Sequence, residues 1–158
     1  PLSATEVTIS VSLAAVTRSF LIGAISILTF YLIVDIQIKH FFTLILFTFL
    51  SSFILGNVGI IAGLWAEKFD HMATVTNFVI VPLSFLSGTF YSIDRLPGIL
   101  KTISEFNPFF YMIDGFRYSF IGVSDGSIKI GIIYLTVLSV LSWLATYILF
   151  KKGYKIVS

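Results

Sequence analysis

Three long stretches of the sequence contain no ionisable side chain. They lie at residues 41–66, 72–93 and 130–150, and each is bounded by a charged residue or a histidine. Crossing about 30 Å of hydrocarbon takes about 20 helical residues, so each stretch is long enough. None of them alternates polar with apolar residues as a strand of a membrane barrel would. The stretches therefore predict three membrane-spanning helices.

The composition agrees with a polytopic membrane protein. The chain is 57% hydrophobic and only 11% charged, with a mean hydropathy of +1.01. If this chain formed a soluble domain, it would have too few polar residues to cover that much apolar surface. The net charge of +2 is too small to suggest a nucleic-acid partner. The absence of cysteine excludes disulfides, thiolate metal sites and a cysteine nucleophile.

The N-terminal region allows two interpretations. Ser3-Ala4-Thr5-Glu6 has the pattern of a capping box, which predicts a helix beginning at Ser3. In the first interpretation one long helix follows, with Arg18 reaching toward a headgroup layer. In the second, a short interfacial helix ends near Thr17 and a span runs from about Ser19 to Ile38. The second is favoured, because an arginine near the end of a span costs far less than one at its centre.

The predicted fold is all-α and forms one membrane domain over residues 1–158. An N-terminal interfacial helix precedes four spans, which place both ends of the chain on the same side. The count of basic residues on the two sides is tied. Only the cluster Lys151, Lys152 and Lys155, which follows the last span, favours cytoplasmic ends.

The connection before the last span contains two short helices in this interpretation. Leu96 to Phe106 has apolar residues at helical spacing, which predicts an amphipathic helix lying in the interface. Asn107 is a good N-cap and Pro108 a good first helical residue for a second helix, which runs to about Ile121 and is too short to span. Asp114 and Arg117 lie three residues apart on one face of it, where they can pair.

The third uncharged stretch contains a proline among small polar residues. Pro82 removes a backbone hydrogen bond, which predicts a kink and a free carbonyl near Phe78. Pro82, the hydroxyl residues Ser84 and Ser87, and Gly88 are candidates for the wall of a translocation path. The alternative, which is favoured, is that these hydroxyls pack or bond to carbonyls of their own helix.

Two further features concern helix packing. Gly59 and Gly63 form a small-xxx-small motif that allows close helix approach, although this pattern is common in membrane helices. Asn57 is a polar residue inside a span and predicts a hydrogen bond between helices more than a ligand site.

The sequence contains no recognisable catalytic, cofactor or metal motif. His-Glu-x-x-His is absent, and residues 122–129 lack the Gly-Lys-Ser/Thr ending of a phosphate loop. The letters Gly-x-Ser-x-Gly occur at 122–126, but they lie between two predicted helices and do not follow a strand, as a catalytic serine turn requires. The charged loop with Glu67, Lys68 and Asp70 is either an ordinary solvated turn, which is favoured, or a contact for a soluble partner.

Four short motifs resemble those of bacterial ABC-2 type export permeases. They are PLS (1–3), LSGTF (86–90), LP (96–97) and, most specifically, NPFFYMIDGFRY (107–118). Members of that family have six spans, so the chain resembles their C-terminal four. Since it begins with Pro1 instead of methionine, we expect the natural protein to begin upstream.

The resemblance implies a permease subunit of the bacterial inner membrane, with both ends of this chain cytoplasmic. Such a subunit forms a homodimer surrounded by lipid and pairs with a separate ABC ATPase, which carries the ATP and Mg²⁺. It moves a drug, lipid or polysaccharide outward by alternating access. The implied contacts to the ATPase involve residues in two cytoplasmic segments: Ser3, Glu6, Glu67, Lys68 and Asp70. The implied external re-entrant gate contains Asn107, Pro108, Asp114 and Arg117.

Two alternatives stay open. The first alternative to a permease is a membrane enzyme acting on lipid, with Asn107, Asp114 and Arg117 as site residues. The second is a structural assembly subunit. A structural subunit would tolerate apolar replacements at Ser84 and Ser87.

Overall fold

A computed structural model describes residues 3–34, 37–66, 68–90 and 97–152. The helical elements are α1 (Ala4–Ile33), α2 (Phe41–Trp65), α3 (Phe69–Val75), a π-helical turn (Thr76–Ile80), α4 (Val81–Phe85), α5 (Gly98–Phe106), α6 (Pro108–Ile121) and α7 (Ile128–Lys151). Among the described residues, α1, α2 and α7 are long and apolar enough to cross a bilayer. The all-α membrane class is confirmed, whereas the count of four spans stays a prediction.

The first span is one continuous helix. Ser3 caps α1, and the reciprocal bonds of the predicted capping box with Glu6 are present. The favoured expectation of a break near Thr17 is wrong, because the helix runs unbroken through Arg18 to Ile33. A helix of 30 residues is about 45 Å long, which exceeds the hydrocarbon thickness by about 15 Å. The exposed Arg18 can therefore lie near one interface without a break in the helix.

Helices α1 and α2 pack antiparallel through small and polar residues. The Ser12 hydroxyl donates to the Asn57 side chain over 3.2 Å, so the predicted hydrogen bond between helices is confirmed. The closest approach is at Gly56, where an added Cβ would lie 2.7 Å from the Cβ of Ala15. Gly59 and Gly63 have open space where a Cβ would stand, so the small-xxx-small motif does not mark this contact. We call this half of the bundle, which holds the start of α1 and the end of α2, the Ser3 end.

The opposite half, called the α6 end, has an aromatic and aliphatic core. Phe47 of α2 is completely buried and packs with Leu50, Met112 and Leu135 in one cluster. The short helix α6 lies across α2 and α7 and closes this core. Gly131 faces Phe47 and Tyr111, which places the start of α7 beside the start of α2.

The run from Phe69 to Phe85 differs in its start and in its helical regularity from the span predicted over residues 72–93. It is helical over 17 residues, with the π turn Thr76–Ile80 directly before Pro82, and it ends in a turn. Pro82 has no backbone N–H, and the widened turn before it is where the sequence predicts a disturbed hydrogen-bond ladder. Residues 91–96 lie outside the described chain, so the predicted extent to residue 93 stays a prediction.

The amphipathic helix of the connection is present as α5. It begins at Gly98, with Pro97 as its N-cap. Ser104 is buried against the protein, while Ile99 and Phe106 are largely exposed. This arrangement leaves an apolar face free for the interface, as the sequence predicts.

We expect Gly115→Ala to destabilise the protein by about 1–3 kcal/mol, the usual cost of overpacking a core. A Cβ at this position would overlap the ring of Phe47. Thermal unfolding in detergent measures the loss, and shortening the partner in Gly115→Ala/Phe47→Leu should recover part of it. Gly63→Ala is the matched control, since its Cβ meets open space. Equal effects of the two alanines would contradict the packing described here.

Candidate functional site at the α6 end

Asn107 joins the start of α6 to the end of α4. Its side-chain oxygen accepts from the Phe109 N–H over 3.0 Å, which confirms the predicted N-cap, and Pro108 follows as the first helical residue. Its amide nitrogen donates to the Leu83 carbonyl over 2.6 Å. Leu83 lies in the last turn of α4, where carbonyls lack partners within the helix. The side chain is buried and uses both of its polar atoms.

Arg117 holds two loops against α6. One guanidinium nitrogen donates to Asp125 over 2.6 Å, and the other donates to the Gly88 carbonyl. Gly88 has φ +76°, a conformation that glycine adopts without strain, and this turn presents its carbonyl to the arginine. The predicted pairing with Asp114 is wrong, because Asp125 in the turn after α6 takes the ion pair instead.

Asp114 organises the turn between α6 and α7. Its two carboxylate oxygens accept from the backbone N–H groups of Asp125, over 2.7 Å, and Gly126, over 3.1 Å. The residue is 2% exposed. Burial raises the pKa of Asp114 from its ordinary value of 3.8, and the two backbone donors oppose this shift. Because its two oxygens bind backbone N–H groups of the turn, this carboxyl group positions the turn.

The loop between α1 and α2 covers the other end of α6. The backbone N–H groups of Lys39 and His40 donate to the Ser119 carbonyl over 2.9 and 3.0 Å. The Lys39 ammonium donates to the Ile121 carbonyl over 2.6 Å, and the His40 ring stacks on Tyr118 at 4.5 Å. Sequence reasoning missed these contacts. The available signal was a basic residue that could reach the last carbonyls of a helix ending at Gly122.

We use the term α6 clamp for Asn107, Asp114 and Arg117 with the groups that they bond. The clamp brings together two sets of residues that the sequence predicted separately. The set assigned to the path lies at 82–88, and the set assigned to the gate lies on α6. Two bonds join them, from Asn107 to Leu83 and from Arg117 to Gly88.

The hydroxyls assigned to the path bond within their own segment. Ser84 donates to the Ile80 carbonyl over 2.8 Å, and Ser87 donates to the Ser84 carbonyl. Ser87 is also buried. This geometry is the one that the packing interpretation predicted, and a role of these residues in a path stays a prediction.

The residues predicted to contact a partner lie at the other end of the bundle. Ser3 and Glu6 bond each other in the capping box. Lys68 is the N-cap of α3 and Asp70 lies in its first turn. These two groups share the Ser3 end because α1 and α2 are antiparallel. Glu67 lies outside the described residues, so its predicted contact stays a prediction.

Comparison with known proteins decides the family. The family description "ABC-2 type transporter" matches residues 1–121. The chain belongs to the ABC-2 type transporter family. It is also 31% identical, over 138 residues, to the inner membrane transport permease YadH of Escherichia coli K12, covering 87% of this chain and 54% of the relative.

Two further relatives have lower identity to this chain. Nodulation protein J of Rhizobium leguminosarum bv. viciae is 26% identical over 97 residues, covering 61% of this chain and 38% of that protein. The form from biovar trifolii is 29% identical over 73 residues, covering 46% and 28%. The chain spans about half the length of the YadH permeases that it matches. No solved structure matches.

We expect Arg117→Gln to lower the stability by about 1.5–3 kcal/mol, the range for a hydrogen bond to a charged group. The variant loses the Asp125 ion pair and the bond to the Gly88 carbonyl. A double-mutant cycle with Asp125→Asn, followed by thermal unfolding in detergent, should show a coupling above about 0.5 kcal/mol. Lys129→Gln removes an exposed positive charge at the same end and serves as the control. Additive effects of the Arg117 and Asp125 changes would contradict the ion pair.

Asp114→Asn should become more stable relative to the natural protein as the pH rises. The pKa of Asp114 is higher in the folded than in the unfolded protein. Its contribution to the stability of the natural protein is therefore fully present below about pH 3.8 and is lost as the pH rises through the folded-state pKa. The variant lacks this titration. Unfolding midpoints of both proteins between about pH 4 and pH 8 measure the difference. A stability difference that falls with rising pH would contradict the assignment.

Proposed function

We propose that this chain is the membrane-spanning part of an ATP-driven permease subunit that moves its substrate outward. Its family membership and its similarity to a protein named as an inner membrane transport permease support this proposal. The observation that carries it is the α6 clamp. A helix too short to span is bonded to the last turn of α4 and to the turn at 86–90 that follows it. Non-helical backbone such as this turn is tolerated within a membrane only against protein or a water-filled cavity.

The proposed mechanism separates the site of energy input from the site of gating. A separate ABC ATPase, which binds ATP and Mg²⁺, contacts the Ser3 end on the cytoplasmic side of the inner membrane. Motion there passes along α2, whose start packs on α6 through Phe47. The gate opens when Asn107 and Arg117 release the carbonyls of Leu83 and Gly88. The subunit acts as a homodimer within lipid, and its substrate is a drug, a lipid or a polysaccharide.

The lipid-enzyme alternative lacks a structural observation in its favour. Both oxygens of Asp114 accept from backbone, and Asn107 and Arg117 donate to carbonyls of neighbouring segments. All three candidate catalytic groups therefore hold the fold together.

Accessibility of position 87 tests the gate without knowledge of the substrate. These 158 residues contain no cysteine, and Ser87→Cys introduces a thiol at a position that is 1% exposed. Any cysteine elsewhere in the full-length permease is first replaced by serine, so that this thiol is the only one. In the full-length permease bound to its ATPase, a membrane-impermeant maleimide should label this thiol slowly without nucleotide and several-fold faster with ATP and Mg²⁺. Val123→Cys, in the exposed turn after α6, should label at one rate in both states. Nucleotide-independent labelling of position 87 would contradict the proposed gating.

Charge changes at the Ser3 end test the coupling. Asp70→Lys should reduce stimulation of the ATPase several-fold without lowering the unfolding temperature, since Asp70 is exposed. Glu6→Gln retains a side chain that can complete the capping box, so it separates loss of charge from loss of the cap. Lys129→Glu at the opposite end is the control. Undiminished stimulation in Asp70→Lys and Glu6→Gln together would contradict coupling through this end.

A further inference from the structure

A deep cleft separates α1 from α2 in the half of the bundle nearest α6. The two helices touch at the Ser3 end, where Gly56 meets Ala15, and they diverge toward the α6 end. The space between them measures about 920 Å³. Its walls include Gly23 and Phe30 of α1 and Leu44 and Thr48 of α2, and Phe120 of α6 closes one end. We propose that this cleft binds a phospholipid, with its acyl chains between α1 and α2 and its phosphate beside Lys39.

The height of the cleft matches one leaflet. Its α1 wall extends from Ser19 to Phe30, which corresponds to about 16 Å of helix. Half of a hydrocarbon core of about 30 Å is about 15 Å. The volume also lies within the range of about 300–1,000 Å³ typical of small-molecule sites. The cleft therefore has the dimensions of the acyl region of a single leaflet.

The chemistry of the walls favours acyl chains over a polar ligand. The walls are largely aliphatic and aromatic, and most of their hydroxyls are already used. Those of Ser19, Ser26, Thr48 and Ser52 donate to carbonyls of their own helices. Among the wall hydroxyls of the described residues, only that of the buried Ser51 lacks a hydrogen-bond partner. One such group leaves the cleft predominantly apolar.

The mouth of the cleft carries the polar groups that a headgroup needs. Gln37 lies on the rim, and Ile121 lines the same end. The Lys39 ammonium donates to the Ile121 carbonyl over 2.6 Å, which places its charge at this end. An ammonium has three N–H donors, so two remain for a phosphate oxygen. A hydrogen bond from an ammonium to a phosphate oxygen is stronger than one between neutral groups.

The cleft also lies beside a surface that would contact lipid in a bilayer. Neighbouring side chains on the outer surface of α1, such as Leu21 and Leu28, are each 62% exposed. In a bilayer these surfaces meet acyl chains. A lipid entering the cleft replaces an apolar void, whose lining would otherwise lose its dispersion contacts. The inference does not depend on the transport activity proposed above.

Photolabelling of the full-length protein tests the proposal. The protein is placed in nanodiscs of phosphatidylethanolamine and phosphatidylglycerol that contain a phosphatidylglycerol probe with a diazirine in its acyl chain. Mass spectrometry should find labelling concentrated on the cleft-facing positions of the two helices, such as Gly23 and Ile27 of α1 and Thr48 and Ser52 of α2. Labelling of the outward positions Leu21 and Leu28 gives the background for lipid that merely surrounds the protein.

Matched variants distinguish binding in the cleft from general contact with lipid. Gly23→Phe fills the cleft, because a Cβ at Gly23 meets open space, and it should reduce wall labelling several-fold. Gly59→Phe also meets open space but lies outside the cleft, so it should leave labelling unchanged. Lys39→Gln should weaken labelling and Lys39→Arg should retain it, since arginine preserves the charge.

Three results would overturn the proposal. The first is wall labelling that does not exceed the background at Leu21 and Leu28. The second is wall labelling that Gly23→Phe leaves unchanged. The third is protection of the cleft walls by another protein segment, shown by diazirine crosslinks from residue 23 to peptide in place of lipid. Equal labelling in Lys39→Gln and the natural protein would overturn the assignment of the phosphate to Lys39.

Discussion

The structure depends on how the backbone carbonyls around α6 find donors. A short helix packed on longer ones exposes its own ends and the ends of the segments beside it, and buried polar groups left unpaired there cost several kcal/mol each. The carbonyls of Leu83 and Gly88 receive donors from Asn107 and Arg117. Those of Ser119 and Ile121 receive donors from residues 39–40. Pairing of these groups fixes α6 against three separate connections.

The two ends of the bundle use different packing chemistry. At the Ser3 end, small and polar residues let α1 and α2 approach closely, as at Gly56 and Asn57. At the α6 end, the buried ring of Phe47 occupies the space left by the missing side chain of Gly115. The small residues permit tight contact between two helices, while the aromatic core packs α6 against α2. The divergence of α1 from α2 between these regions creates the cleft.

Local chemistry made some features predictable. Asn107, Pro108 and the Ser3–Glu6 pair were found from the sequence because caps involve residues within three positions of one another. The length of the uncharged stretches was enough to find α2 and α7. Helix class and helix ends were therefore accessible without knowledge of the tertiary fold.

Features that depend on distant partners were not accessible in the same way. The spacing of Asp114 and Arg117 allowed a pair, but Asp125 lies closer to the guanidinium once the turn has folded. The glycine motif at 59 and 63 was visible, whereas the glycine that meets α1 is Gly56. The continuity of α1 through Arg18 depends on helix length relative to the bilayer, which a search for uncharged stretches does not measure. The first two of these outcomes are decided by packing between segments.

Hydrogen exchange measures most directly whether α6 is held as described. In the full-length protein in nanodiscs, amides of residues 109–121 should exchange as slowly as those in the middle of α2, because bonds at both ends prevent fraying. Arg117→Gln should speed exchange at the C-terminal part of α6 and in the turn at 86–90. Exchange throughout α6 as fast as at the exposed Val123 in the turn that follows would contradict the account.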